Sequence, residues 1–193
     1  MEMRDETVPT GDDAAARLAQ LEGYWRGLAL RGLPPSRDEI DPDRIGAALP
    51  SAFVLDRIAP GQARLRVAGR ALCEVVGTEA RGLPLSRLFR RADHVRLAAL
   101  LERCFEELHP CRVPLLAGGG SGPIGGLTLL PLRHRLGAAP QMIGALLHDL
   151  PPGRPRRFGL AGPARIGAPP QQTRDTRAHL RLVVSNETCG PDR

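Results

Sequence analysis

The chain contains no lysine, and among its 193 residues there are one Trp, one Tyr and four Phe. With aromatic residues at 3%, a platform of stacked rings for single-stranded nucleic acid is excluded. The core must instead be built from Leu, Val, Ile and Ala. All 27 cationic residues are Arg, which a GC-rich coding bias explains without any selected function. No apolar run approaches the ~18 residues a membrane span requires. Cys73, Cys104, Cys111 and Cys189 show no paired spacing, so free thiols of a reducing cytosol are expected. The start Met-Glu-Met-Arg-Asp-Glu is acidic, where a secretory signal is basic and then apolar. These absences together predict a cytoplasmic protein.

What is present is a globular composition, 42% hydrophobic and 25% charged, in a length that suits one domain with extensions. The net charge of +6 suggests nucleic acid only until it is located along the chain. After Leu150 there are 8 Arg against 3 acids (+5), and before it 19 against 18 (+1). The sequence therefore divides into an acidic arm (1–13), a nearly neutral domain (14–150) and a basic Pro/Gly/Arg-rich tail (151–193). The tail is expected to be mostly disordered, with His179 to Ser185 as a short docking segment.

Asp12 or Asp13 can cap a helix over 14–30. Its apolar positions Ala14, Leu18, Leu21, Trp25 and Leu28 are spaced 4, 3, 4, 3 and fall on one stripe. That stripe suits either the domain's own core or a partner helix in a homodimer. Asp41-Pro42 starts a short helix, Ser51 to Ile58 and Gln62 to Ala68 read as a hairpin turned at Pro60-Gly61, and Arg70 to Val76 is a helix stopped by Gly77. From Asp93 to Leu108, the residues Leu97, Leu101, Cys104 and Leu108 share a helix face, and Pro110 prevents continuation. Cys111 to Ala117, Ile124 to Arg133 and Gln141 to Leu150 follow as strands. The order predicts an α+β fold, a five-stranded antiparallel sheet with helices on one face behind an N-terminal amphipathic helix.

The residues Tyr24-Trp25-Arg26-Gly27-Leu28, Ile40-Asp41-Pro42 before Leu49-Pro50, and Phe53-Val54-Leu55-Asp56 resemble the PAS fold. So do Leu65-Arg66-Val67-Ala68-Gly69 running into Leu72-Cys73, Val76 to Gly82, and Leu129-Leu130-Pro131-Leu132. The nearer likeness is to small bacterial stand-alone PAS proteins, over about Leu18 to Leu150. The resemblance implies a non-enzymatic sensory and dimerising module in signal transduction, with a ligand cavity between sheet and helices. Leu72, Val75, Val76, Leu97, Leu101 and Phe105 would line it, closed by Leu129 and Ile143, and a small apolar ligand would suit that lining. Leu18, Leu21, Trp25 and Leu28 would form the homodimer interface. No kinase, cyclase or DNA-binding segment is recognised, so an unidentified signalling protein is the expected partner. Where such relatives often carry an acidic residue before the Leu-Leu-Pro-Leu stretch, this chain has Thr128.

Other chemistry finds little support. Leu72-Cys73-Glu74 does not reproduce the reactive-cysteine helix of flavin-binding PAS modules, and His94 is expected at a solvent-facing first turn, unsuited to haem. Cys104, His109 and Cys111 lack a fourth zinc ligand. The cofactor is therefore unassigned, with no flavin, haem or metal signature. Gly118 to Gly122 precedes a strand, whereas a phosphate cradle precedes a helix. Glu106 and Glu107 point about 100° apart on a helix and cannot flank a substrate, and His148-Asp149 lie on opposite sides of a strand. No catalytic set emerges. The alternative to the sensory module is an anion- or nucleic-acid-binding adaptor that works through Arg154, Arg156 and Arg157.

Overall fold

The computed structural model describes residues 11–30, 32–117, 122–134, 137–151 and 156–168. The chain opens with α1 (Gly11–Leu28), a 3-10 turn (Arg37–Glu39), α2 (Pro42–Ile45) and a second 3-10 stretch (Gly46–Ser51). The strands β1 (Ala52–Ala59) and β2 (Gln62–Ala68) precede α3 (Arg70–Val76), two further 3-10 turns (Leu85–Leu88, Arg91–Asp93) and α4 (His94–Glu107). The strands β3 (Cys111–Leu116), β4 (Pro123–Leu132) and β5 (Gln141–His148) follow, then two short strands, β6 (Gly159–Leu160) and β7 (Arg165–Ile166).

The expected five-stranded antiparallel sheet is present in the order β2-β1-β5-β4-β3. Local chemistry fixes its joints. Asp41 caps α2 by accepting from the Asp43 N–H at 3.0 Å, with Pro42 at the first helical position. Gly77 ends α3 in the left-handed conformation (φ 80°) and donates to the Cys73 carbonyl. A Cβ on Gly144 would stand 2.7 Å from the Phe53 ring, so glycine there lets that ring lie across β5.

Two cores flank the sheet. On the inner face, α3 and α4 pack Leu72, Val75, Leu97, Leu101, Cys104 and Phe105 on Phe53, Leu55, Leu65, Leu127, Leu129 and Met142. Arg57 reaches from β1 to Glu102 and Glu106 of α4 and lies 5.6 Å from the Phe105 ring, which pins the hairpin to the helix. On the outer face, α1 lays Ala14, Leu18, Leu21 and Trp25 on Leu130, Leu132, Ile143, Ala145 and Leu147. The Trp25 indole N–H donates to the Pro131 carbonyl at 2.8 Å. Pro131 sits where β4 has run past the first residue of β3, whose partner is Leu129, so no β3 carbonyl awaits the N–H that proline lacks.

Three sequence expectations are corrected here. The stripe Leu18, Leu21 and Trp25 is at most 2% exposed within the protomer, and Leu28 is half-buried against the same cluster, so the stripe is core and not a free dimer face. Ile143 lies under α1 on the outer face, while its neighbour Met142 faces α3 and α4. β5 is buried on both faces, which erases the alternation that would have told them apart. Finally, the packed region does not stop at Leu150. β6 pairs with β3 through Leu115 and Leu116, and β7 through Cys111 and Arg112. Phe158 is fully buried in the inner core, its N–H donating to Leu88 and its carbonyl accepting from Arg90. Arg96 of α4 clasps the carbonyls of Leu160, Ala161 and Gly162. This segment covers the β3 edge, which would otherwise present unpaired backbone groups.

Candidate functional site

The expected inner lining is brought together, with one exception. Leu72, Leu97, Leu101 and Leu129 are 0–2% exposed and share one cluster with Val75 and Phe105, while Val76 is partly buried against it. Ile143 is separated from them by the thickness of the sheet. At the end of α4, Cys104 Sγ lies 3.0 Å from the His109 carbonyl and 3.6 Å from that of Leu129, the register partner of Cys111. The two thiols interact. The hydrogen bond to Cys111, with burial, pushes the Cys104 thiol well above its ordinary range, and the same bond lowers that of Cys111. His109 approaches Glu107 instead, at 3.6 Å. Among the described residues, no group of three or more His, Cys, Asp or Glu side chains is placed to hold a metal ion.

Two of the three expected tail arginines fall among the described residues. Arg156 is half-buried, its N–H donating to the Val75 carbonyl and its guanidinium to that of Pro151, Arg157 is exposed, and Arg154 lies outside the described residues.

A concave surface lies on the part of the outer sheet face that α1 leaves uncovered. Alternation along β2 puts Arg64 and Arg66 on this face while Ala63 and Leu65 enter the inner core. Opposite them stand the 3-10 turn bearing Arg37 and the end of β4 with Arg133 and His134, and β5 contributes Gln141. Together they enclose a cleft of about 800 Å³ lined by four guanidinium groups and two carboxylates, Asp38 and Asp56. Asp56 forms the floor. Its side chain is 6% exposed, accepts from Gln141 at 2.8 Å, and stands 3.4 Å from Arg66 and 3.6 Å from Arg64. One carboxylate thus serves two guanidiniums, neither at close range, and both arginine side chains are more than half exposed. At the rim, Glu39 accepts from the Ser36 N–H and from Arg133 at 3.2 Å. The bonds from Ser36, with the Arg133 charge, hold its carboxyl below the ordinary value.

A second groove, of about 350 Å³, adjoins this cleft and shares Arg37 and Ile40 with it. Its wall is apolar, with Ile45, Leu49, Pro50, Val54, Val67 and Ile143. Leu49 and Val67 are 40% and 45% exposed, while Val54 at the bottom is 5%. A basic pocket thus opens into an aliphatic trough. The sequence displayed Arg64 and Arg66 in alternation, but Arg37 and Arg133 are far apart in the chain, and only the sheet order brings them to one place.

The family model described as the PAS domain matches residues 14–147. The match begins within α1, ends in β5, and stops short of the strands that cover the β3 edge. No curated protein matches the chain. No helix among the described residues is long and apolar enough to cross a membrane.

Proposed function

Because the chain belongs to the PAS domain family, we propose that it works as a cytoplasmic module of bacterial signal transduction that binds instead of catalysing and passes its state to a partner protein. The family match over 14–147 carries this reading. On the inner face Leu72, Val75, Leu97, Leu101, Phe105 and Leu129 belong to one cluster of buried side chains, which supports an interaction role. The open part of the outer face is then the surface through which a ligand or partner acts. Self-association is part of the same reading, because PAS domains commonly mediate dimerisation, but the buried α1 stripe is not its surface.

Native mass spectrometry of the full chain purified from its own host tests this. The expected result is a defined extra mass at fixed stoichiometry, either a second protein or a small molecule released on denaturation. A chain that leaves its host with nothing bound, and whose deletion alters no signalling output, overturns the reading.

A further inference from the structure

The basic cleft and the apolar trough meet at Arg37 and Ile40, and we infer that together they form a site for a single-chain anionic amphiphile, an aliphatic carboxylate with its head among the arginines and its chain along Val67 and Leu49. The inference rests on the proposed binding role and names the ligand class for the outer face.

Charge comes first. Four guanidiniums line the cleft against Asp38 and Asp56, with Glu39 at the rim paired to Arg133, and the Asp56 carboxylate is divided between Arg64 and Arg66 at 3.6 and 3.4 Å. A ligand carboxylate above β2 would complete the donor sets of both, and Arg suits such a planar anion through paired N–H bonds. Continuity comes second. A small polar anion would use the cleft alone and leave the trough empty, whereas a neutral lipid would bury no partner for the arginines. Leu49 and Val67 remain 40% and 45% exposed beside this charged rim, and an aliphatic chain is the group that removes them from water without adding polar demands. Shape comes third. Volumes of about 800 and 350 Å³ in adjoining concave sites match the range of small-molecule sites, which commits the proposal to a soluble monomeric ligand and not to a bilayer surface.

Decanoate, acetate and decanol are titrated into the full-length protein, with backbone amide shifts and calorimetry as readouts. Decanoate is expected to move the amides of 64–68 and 45–49 and to bind at least about tenfold more tightly than acetate or decanol, the order of effect of losing one charge-assisted or apolar contribution. Arg66→Glu and Val67→Ser are both at exposed positions. Arg66→Glu should weaken decanoate and acetate alike, and Val67→Ser should weaken decanoate alone. Unshifted spectra at millimolar decanoate, equal binding of decanol, or binding only to anionic vesicles overturns the proposal. The native mass measurement keeps the two readings apart, because a fixed-stoichiometry protein complex with no decanoate response leaves the module standing and removes the amphiphile.

Discussion

Thr128 is fully buried, and its hydroxyl has no hydrogen-bond partner among the described residues. It lies across the β3–β4 pair from Arg112, whose guanidinium reaches Glu22 of α1 at 3.1 Å, so both side chains belong to the face that α1 covers. A buried hydroxyl left unpaired costs about 1–3 kcal/mol, whereas a methyl of the same shape costs nothing to desolvate. Thr128→Val is therefore expected to stabilise the fold by about 1 kcal/mol, seen as a higher urea midpoint at unchanged slope. A lower midpoint would mean that the hydroxyl has found a partner and that Thr128 supports the sheet through it. The position was visible in the sequence only as a departure from the acidic residue that often precedes the Leu-Leu-Pro-Leu stretch. Its burial follows from α1, which no local pattern in β4 reveals.

The segment that carries Phe158 shows at the level of elements where sequence reading reaches its limit. β6 and β7 are two residues long each, too short for any periodicity, and they stand among Pro, Gly and Arg that read as linker. The one available signal was Phe158 itself, an aromatic residue in a chain with few of them. Long elements were legible for the opposite reason. α4 buries Leu97, Leu101, Cys104 and Phe105 at helical spacing, and β2 alternates from Gln62 to Arg66, with Ala63 and Leu65 buried, before a register shift leaves Val67 exposed as well. The α1 stripe was legible as a stripe, but spacing alone cannot say whether its partner is the same chain or another. Phe158→Ala is expected to cost about 3–5 kcal/mol, as for other large-to-small changes in a filled core, while Arg157→Ala should stay within about 0.5 kcal/mol. Chemical denaturation of both variants decides. Equal, small losses would show that the segment does not contribute to the fold. Truncation after Leu150 would strip the β3 edge of its cover, so it is not a clean probe of tail charge.

On the scale of the whole molecule, the covering segment is joined to the sheet at a titratable seam. The His148 ring lies 5.2 Å from that of Phe158, and its Nδ1 accepts the Leu150 N–H at 3.2 Å, so the neutral ring with its proton on Nε2 is the form that fits. Burial, reinforced by the charge of Arg156 and opposed by that of Glu74, lowers the His148 pKa from its ordinary 6.5. The unfolded chain then binds this proton more readily than the folded one. The contribution of the neutral ring to stability is full above pH ~6.5 and is lost as pH falls from there through the depressed folded value. Its neighbour works in the other direction. Burial, with the charge of Asp13, raises the Asp149 pKa above 3.8, so that ionised carboxylate weighs against the fold at neutral pH, and the penalty fades as it takes up a proton under more acidic conditions. The His148 contribution to the urea midpoint should therefore decline as pH falls below about 6.5, with Asp149 acting in the opposite sense, and backbone amides of 158–160 should lose exchange protection as the imidazole takes up its proton. His148→Gln, which keeps an acceptor but cannot charge, is expected to flatten both profiles. If the decline persists in that variant, the acid sensitivity belongs to another group, and the attachment of the covering strand to β3 is independent of the imidazole.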